Sequence, residues 1–501
     1  MERERVERVL VVGGGDAGLM TALTFRVKNP NLPITVVDDF EEPIPGIGKS
    51  TTNYILKSLH DVLDIDRQRF VTKVKPVWKA SVYFEDWCGC EPFHVPFDDS
   101  SIRPRADGSE CFEELYYRHE TRNFRTLGGE LAEQSKSPFS IQSPGGLQVY
   151  QDVAYHLGIR RFNEFLRELC KERTIELVND RITEVSADEE TIVAVRSDDA
   201  TYEADLYVDA TGFQRSLVSE LDRQFREFEY PLDSAVVSKL DLSLADIVPA
   251  TVVTSGEHGW FWQIDTYDWR DVGYVYSSGH VSDEAATKAF LNEHETLSEE
   301  DLKHYRFDTG YFKEPWRGNC LPVGNALGFV EPLQSTALTT NALLVEKLAS
   351  LLASHHRLNH PGVREIYNTY VQSIWENVYD FISIHYRHAS DDSEFWAAMR
   401  EIERGEHLDQ YLANYHENGF NSHHDFNQWQ FTHDNLYYRV FTQWQFYRVL
   451  RHLGIESEFY RNLDVQVSED VVERVEKQTE DQAREAKQHP SYDELSEYGI
   501  Y

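Results

Sequence analysis

"RVLVVGGGDAGLMTALTFRVK", residues 8–28, decides the fold. It reads as a short buried strand, a glycine turn and a helix. The turn spaces its glycines as Gly13-x-Gly15-x-x-Gly18, with Ala17 inside it. That spacing lets the backbone approach a pyrophosphate, and the helix N-terminus behind it stabilises the charge. The next strand, in "LPITVVDDF" (32–40), ends in Asp38 and Asp39. Asp38 follows Gly18 by twenty residues, the distance at which a carboxylate takes ribose hydroxyls.

Two further strand-to-turn elements come much later, "ADLYVDATG" (204–212) and "LPVGNALG" (321–328). A nicotinamide domain keeps its strands contiguous, whereas monooxygenase-type flavin enzymes scatter three such elements along the chain. The expected cofactor is therefore FAD, in a discontinuous domain. The expected fold class is α/β, a Rossmann-like FAD-binding box with an interleaved substrate module and a helical C-terminal part. In residue ranges, 1–355 is the discontinuous FAD-binding domain, with substrate segments at about 80–150 and 225–305, and 356–501 is mainly helical.

The 501 residues are enough for two or three domain-sized units. Hydrophobic content of 41% and aromatic content of 13% exclude a disordered chain. No run reaches the roughly 20 apolar residues of a membrane helix. "MERERVERVL" carries no signal-peptide core, which points to the cytoplasm. The net charge of −37 disfavours nucleic acid and anionic membranes as partners. It suits a halophilic cytosol, where salt screens repulsion. Cys88, Cys90, Cys111, Cys170 and Cys320 form no metal or disulfide pattern and read as reduced thiols that mostly pack.

Between these landmarks, "EEPIPGIGKSTTNYI" (41–55) is a Pro/Gly loop opening a helix whose first turn carries Ser50, Thr51 and Thr52, and 77–87, "VWKASVYFEDW", alternates like a strand. Residues 152–174 read as a helix and 175–195 as strands. "GWFWQID" (259–265) and "VGYVYSS" (272–278) are strand-like. Val363, Ile366, Tyr370, Ile374, Val378 and Phe381 recur at helical spacing, and the tail from 468 is an acidic amphipathic helix.

Taken together, the motifs resemble the flavin-dependent halogenases of the tryptophan-halogenase type, from residue 9 to about 400. "GGGDAG" matches the family's glycine loop. Gly46-Ile47-Gly48-Lys49-Ser50-Thr51 matches G-x-G-E-[AS]-T, with Lys49 for Glu. "VWKASVYFEDW" matches the lysine strand, with Lys79 at the reactive position. Trp260-Phe261-Trp262-Gln263-Ile264-Asp265 matches W-x-W-x-I-P, with Asp265 for Pro. "GYVYSS", "HYRHASDDSEFW" (385–396) and "NCLPVGNALGFVEPLQSTAL" (319–338) complete the series in order.

The resemblance implies an enzyme in which reduced FAD from a separate flavin reductase, O2 and chloride or bromide generate hypohalous acid. A channel then leads it to Lys79, which presents electrophilic halogen to an aromatic small molecule. A homodimer is left open. Gly13, Gly15, Ala17, Gly18, Asp38 and Asp39 would hold the nucleotide end of FAD, and Ile47, Gly48, Ser50, Asn325 and Leu338 the rest. The halide would rest on the backbone N–H groups of Thr336 and Ala337, although the family has Gly at 337. Trp260 and Trp262 would lie on one strand face between flavin and substrate. An amine suits this task when it is partly dry, since desolvation favours its neutral form. Asp265 for Pro is expected to loosen the backbone locally.

Gln334 stands where tryptophan-specific members carry Glu. An amide is neither a base nor a charge at neutral pH. Three readings fit. The substrate is electron-rich (a phenol, pyrrole or activated indole) and needs no carboxylate. Alternatively, the substrate is tryptophan-like and Gln334 orients the donor while another group serves as base. In the third, the fold carries different chemistry, as a hydroxylase, a reductase-like relative or an inactive flavin-binding protein. His423, His424, Asp425, His433 and Asp434 are better explained by aromatic-rich helical packing than by a metal, and Ser335 has no partner at triad spacing.

Overall fold

The computed structural model describes residues 5–41, 46–87, 89–97, 126–142, 146–387, 393–402, 405–418, 440–455, 457–458 and 469–497. The chain divides into two units. One is built from Met1–Lys75, Leu157–Phe228 and Phe307–Trp375, the other from Pro76–His156, Glu229–Arg306 and Glu376–Tyr501.

The first unit is built on a five-stranded sheet. Its order is Glu176–Asn179, Ile34–Asp38, Val9–Val12, Leu206–Asp209 and Cys320–Pro322, every pair parallel. Val9–Val12 and Leu206–Asp209 are buried at every residue, which is why they read as continuous rather than alternating runs. The helix Asp16–Lys28 packs on the helices Ile159–Glu172 and Ala337–Ser354. Burial pushes the thiols of Cys170 and Cys320 up to about 12, consistent with packing cysteines. Cys90 is partly exposed, and Cys88 and Cys111 lie outside the described residues.

The second unit carries a seven-stranded sheet in the order Lys303–Arg306, Ser234–Leu240, Arg270–Tyr276, Gly259–Asp265, Ala250–Gly256, Ser81–Asp86 and Phe93–Pro96. Only Ala250–Gly256 with Ser81–Asp86 is a parallel pair. A short strand, Val77–Lys79, pairs antiparallel with Ala154–Leu157. The fold class is the expected one, a Rossmann-like α/β fold with a mainly helical C-terminal part.

Three expectations need correction. Ser50, Thr51 and Thr52 do not form a first helical turn, because Lys49–Ser50 is a short strand and the helix begins at Tyr54, after Asn53. Residues 152–174 are not one helix, because Ala154–Leu157 is a strand and the helix begins at Ile159, after Gly158. The run is too short to show a period, and pairing with Val77–Lys79 overrides its helical propensity. In the helix Pro361–Tyr386, Ile374, Val378 and Phe381 are fully buried, but Ile366 is 46% exposed. At 100° per residue it lies about 90° from the mean direction of those three residues.

Candidate cofactor, halide and lysine sites

Each glycine of the first loop has a separate reason. Gly13 has φ +109°, and a Cβ there would lie 2.4 Å from the Ala210 carbonyl oxygen. A Cβ on Gly18 would lie 2.0 Å from Gly13 O, so this glycine sets the packing of helix on strand. A Cβ on Gly15 would meet nothing within 4 Å. Gly15 is also the N-cap of Asp16–Lys28, so its open side faces a helix N-terminus, as a pyrophosphate cradle requires. Gly324, at φ +56°, lets the third element close on Ala17, whose Cβ is 2.6 Å from where a Gly324 Cβ would be. The Gly14 N–H donates to Asp38 Oδ2 at 2.7 Å. Burial outweighs this bond and raises the Asp38 carboxyl above the usual range. The glycine loop and Asp38 thus meet, whereas Asp39 accepts the Glu41 N–H at 3.2 Å in the turn beyond. These residues fit a dinucleotide.

The loop from Gly46 to Thr52 is stitched to the helix Ala337–Ser354. Ser335 Oγ donates to Ser50 Oγ at 2.8 Å, and the hydroxyls of Thr52 and Thr339 meet at 2.7 Å. Tyr54 and Ser58 both donate to Glu346, at 2.8 Å each. Lys49, in place of Glu, forms an ion pair with Asp16 at 3.5 Å, in the first turn of the cofactor helix. Asn325 lies in the tight turn Gly324–Ala326, where Gly324 N–H donates to Asn341 at 3.0 Å, and Leu338 is buried.

Ser335 is left-handed, at φ +59°, and Thr336 is right-handed, at φ −82° and ψ −19°. This alternation is a backbone nest, which turns successive N–H groups toward an anion. The Ser335 N–H is used by Pro332 O at 2.9 Å. Among the described residues no acceptor takes the N–H of Thr336 or Ala337. Ala337 starts the helix, so the Gly-to-Ala difference meets no left-handed backbone, because that conformation falls on Ser335. Gln334 is 4% exposed beside this nest.

In the second unit, Lys79 is fully buried, and burial pushes its amine well below the ordinary lysine value. Its Nζ is 5.2 Å from the centre of the Phe97 ring. In the pair with Ala154–Leu157, Val77 stands opposite His156 and Lys79 opposite Ala154, so Lys79 and His156 share one face as diagonal neighbours. His156 is also fully buried. Its Nδ1–H donates to Asp265 O at 3.0 Å, and its Nε2 accepts from the Thr251 hydroxyl at 2.9 Å. Burial first, then the Lys79 charge, pushes His156 down to about 3.

Trp260 and Trp262 are buried on one face of Gly259–Asp265. Gly273 stands opposite Trp262, and a Cβ there would lie 2.4 Å from the indole. Asp265 does not loosen this strand. Its carboxylate accepts two bonds from Arg270, at 2.7 and 2.8 Å, with a further 2.8 Å bond from the Val248 N–H. A charge pair replaces a ring as the local restraint.

Sequence reasoning missed His156 and the Asp265–Arg270 clamp. The clamp had a local signal, opposite charges flanking the four-residue turn Thr266–Trp269 and paired in register. His156 had none, because its partners lie 95 and 109 residues away. His423, His424, Asp425, His433 and Asp434 lie outside the described residues.

Known proteins resemble this chain over most of its length. Tryptophan 6-halogenase SttH of Streptomyces toxytricini is 28% identical over 430 residues, 79% of this chain and 81% of that protein. Tryptophan 7-halogenase RebH of Lentzea aerocolonigenes is 26% identical over 446 residues, 82% of each. The crystal structure of MibH, a tryptophan 5-halogenase, superposes with a TM-score of 0.84 at 26% identity, covering 100% of this chain and 94% of that one. The sequence profile described as tryptophan halogenase matches residues 8–468, and the chain therefore belongs to the tryptophan halogenase family of flavin-dependent oxidoreductases.

Proposed function

We propose that this halogenating enzyme acts on an electron-rich aromatic small molecule, a phenol, pyrrole or activated indole, and that Lys79 delivers the halogen. The observation that carries the reading is Lys79 itself. It is fully buried in a chain of 49 cationic and 86 anionic residues, where a lysine kept for its charge would be at the surface. Burial lowers its basicity, which favours the neutral nucleophilic amine.

Gly13, Gly15, Gly18 and Asp38 would hold the nucleotide end of FAD, Gly48, Ser50, Asn325 and Leu338 would line the remainder, and the N–H groups of Thr336 and Ala337 would hold chloride or bromide. Reduced FAD, when bound, would supply with O2 the two-electron oxidation of halide to hypohalous acid. The Lys79 amine attacks the halogen of hypohalous acid, so that an N–halogen bond forms, the O–halogen bond breaks and water leaves with one amine proton. The aromatic ring then takes the halogen, the amine regains a proton, and the ring loses one. The neutral Gln334 supports a substrate activated enough to lose that proton without a carboxylate. A separate reductase supplies the reduced flavin. The −37 net charge supports a salt-rich cytosol as the setting.

The test supplies photoreduced FAD, O2 and bromide in concentrated salt with a panel of phenols, pyrroles and indoles, read by mass spectrometry. A product bearing the bromine isotope pair supports the reading. Addition of one oxygen makes the enzyme a hydroxylase, and no product with retained FAD makes it a flavin-binding protein. Lys79→Ala is expected to reduce halogenation to background with FAD affinity unchanged, and retained halogenation removes Lys79 from the mechanism.

A further inference from the structure

Val77–Lys79 is an edge strand. Its pairing with Ala154–Leu157 sets Val77 against His156, Trp78 against Tyr155 and Lys79 against Ala154. The N–H and C=O of one strand residue point to the same edge, and successive residues alternate. Trp78 turns both groups away from its partner strand, and both meet one atom. The Trp78 N–H donates to the Tyr492 hydroxyl at 2.8 Å, and that hydroxyl donates to the Trp78 carbonyl at 3.0 Å.

Tyr492 opens the helix Tyr492–Glu497, beyond the residues 8–468 that the family profile matches. The segment before it is anchored independently. The Ser137 N–H and hydroxyl donate to Pro490 O at 2.9 and 2.7 Å, and His489 Nδ1 donates to Ser137 O at 3.0 Å. On the other side of the lysine, the Ala80 N–H donates to Pro249 O at 2.8 Å. Lys79 is held between two tethers.

We propose that Tyr492 is a positioning residue for Lys79, its hydroxyl closing the open edge of the lysine strand so that no water enters one residue from the amine. The proposal rests on the reading of Lys79 as the group that delivers halogen. Two buried backbone groups without a protein partner would bind water. Tyr492 is 1% exposed and satisfies both at once. The Trp78 ring extends the dry wall, packing edge-on against Phe139 at 5.3 Å and Tyr155 at 4.8 Å. Water at this edge would rehydrate the amine and restore its basicity. The titratable groups on the surrounding elements are His156, His94 with Glu133, the Asp265–Arg270 pair, and His489, Asp493, Glu494 and Lys136 around the tail. Lys79 enters the titration of His156, and for Lys79 itself burial is the cause.

The experiment compares wild type, Tyr492→Phe and Tyr492→Leu. Cyanate carbamylates neutral amines, and the rate at Lys79 against pH, read by peptide mass spectrometry with exposed Lys73 as reference, needs no substrate. The Lys79 midpoint is expected to rise by about one pH unit in the Leu variant and less in the Phe variant. Bromination of phenol and indole should lose its acid limb at correspondingly higher pH, with FAD affinity unchanged. Unchanged midpoints in folded variants overturn the proposal. Should the variants fail to fold, hydrogen exchange in wild type decides it. The Trp78 amide should be as slow as the paired amides of Ala154–Leu157, and exchange at the rate of an open edge overturns the proposal. Lys79→Ala with full halogenation would remove the halogen-delivery reading alone, leaving the exchange and carbamylation results to judge Tyr492.

Discussion

His156 shows what full burial of a titratable ring costs. Its pKa of about 3 in the folded protein lies below the ordinary 6.5, so between these values the unfolded chain binds a proton that the folded chain refuses. Its contribution is complete above about pH 6.5 and is lost as pH falls toward 3. His385, pushed down to about 4, has the same sign. His156→Gln can still donate to Asp265 O and accept from Thr251 without titrating. The variant should therefore lose less unfolding free energy than wild type between pH 7 and pH 4.5, measured by urea denaturation at each pH. An equal loss in both would show that His156 is not part of the acid response. At the same scale, Gln334→Glu places a carboxylate beside the Ser335–Thr336 backbone nest. If the amide sets substrate range, the variant should brominate tryptophan faster than wild type does, read by mass spectrometry. No change would mean that the amide does not set substrate range.

At the scale of elements, the glycine loop separates folding from cofactor binding. Gly15 has φ −76° and ψ −178°, extended backbone that alanine adopts freely, and open space where a Cβ would go. Gly15→Ala should fold within about 1 kcal/mol of wild type yet bind FAD at least about tenfold more weakly, because the methyl occupies the cradle. Gly18→Ala should lose stability as well, since its Cβ strikes the Gly13 carbonyl. Melting curves and FAD titration together check both. In the hairpin Gly259–Tyr276, Asp265→Ala leaves Arg270 and the Val248 N–H without their carboxylate and should cost about 3 kcal/mol in urea denaturation. These elements also show what could be read in advance. The glycine turn and its meeting with Asp38 are legible because they join the ends of two consecutive strands that pair in one sheet. Ala154–Leu157 is not, because four apolar residues fit a helix as well as a strand until a distant partner decides.

For the whole molecule, charge is the dominant global variable. An excess of 37 negative charges repels itself most where the Debye length is about 10 Å, near 0.1 M salt, and far less at 1 M, where it is about 3 Å. The melting temperature should rise by several degrees between 0.1 and 2 M KCl, and a flat or falling trend would argue against a salt-adapted protein. Among the described residues no helix is long and apolar enough to cross a membrane. The division into two units, each assembled from three stretches of chain, could be read only in part, since scattered flavin elements reveal a discontinuous domain but not which later segment returns to which earlier one.

The hydroxyl that closes the lysine strand lies 414 residues after Trp78. On a ribosome making about 5–20 residues each second, roughly 20 to 80 s separate the two. Through that interval the nascent strand has a raw hydrogen-bonding edge, ready to pair with whatever passes. A chain that stopped before Tyr492 would therefore keep its glycine loop whole and leave the amide and carbonyl of Trp78 open to solvent.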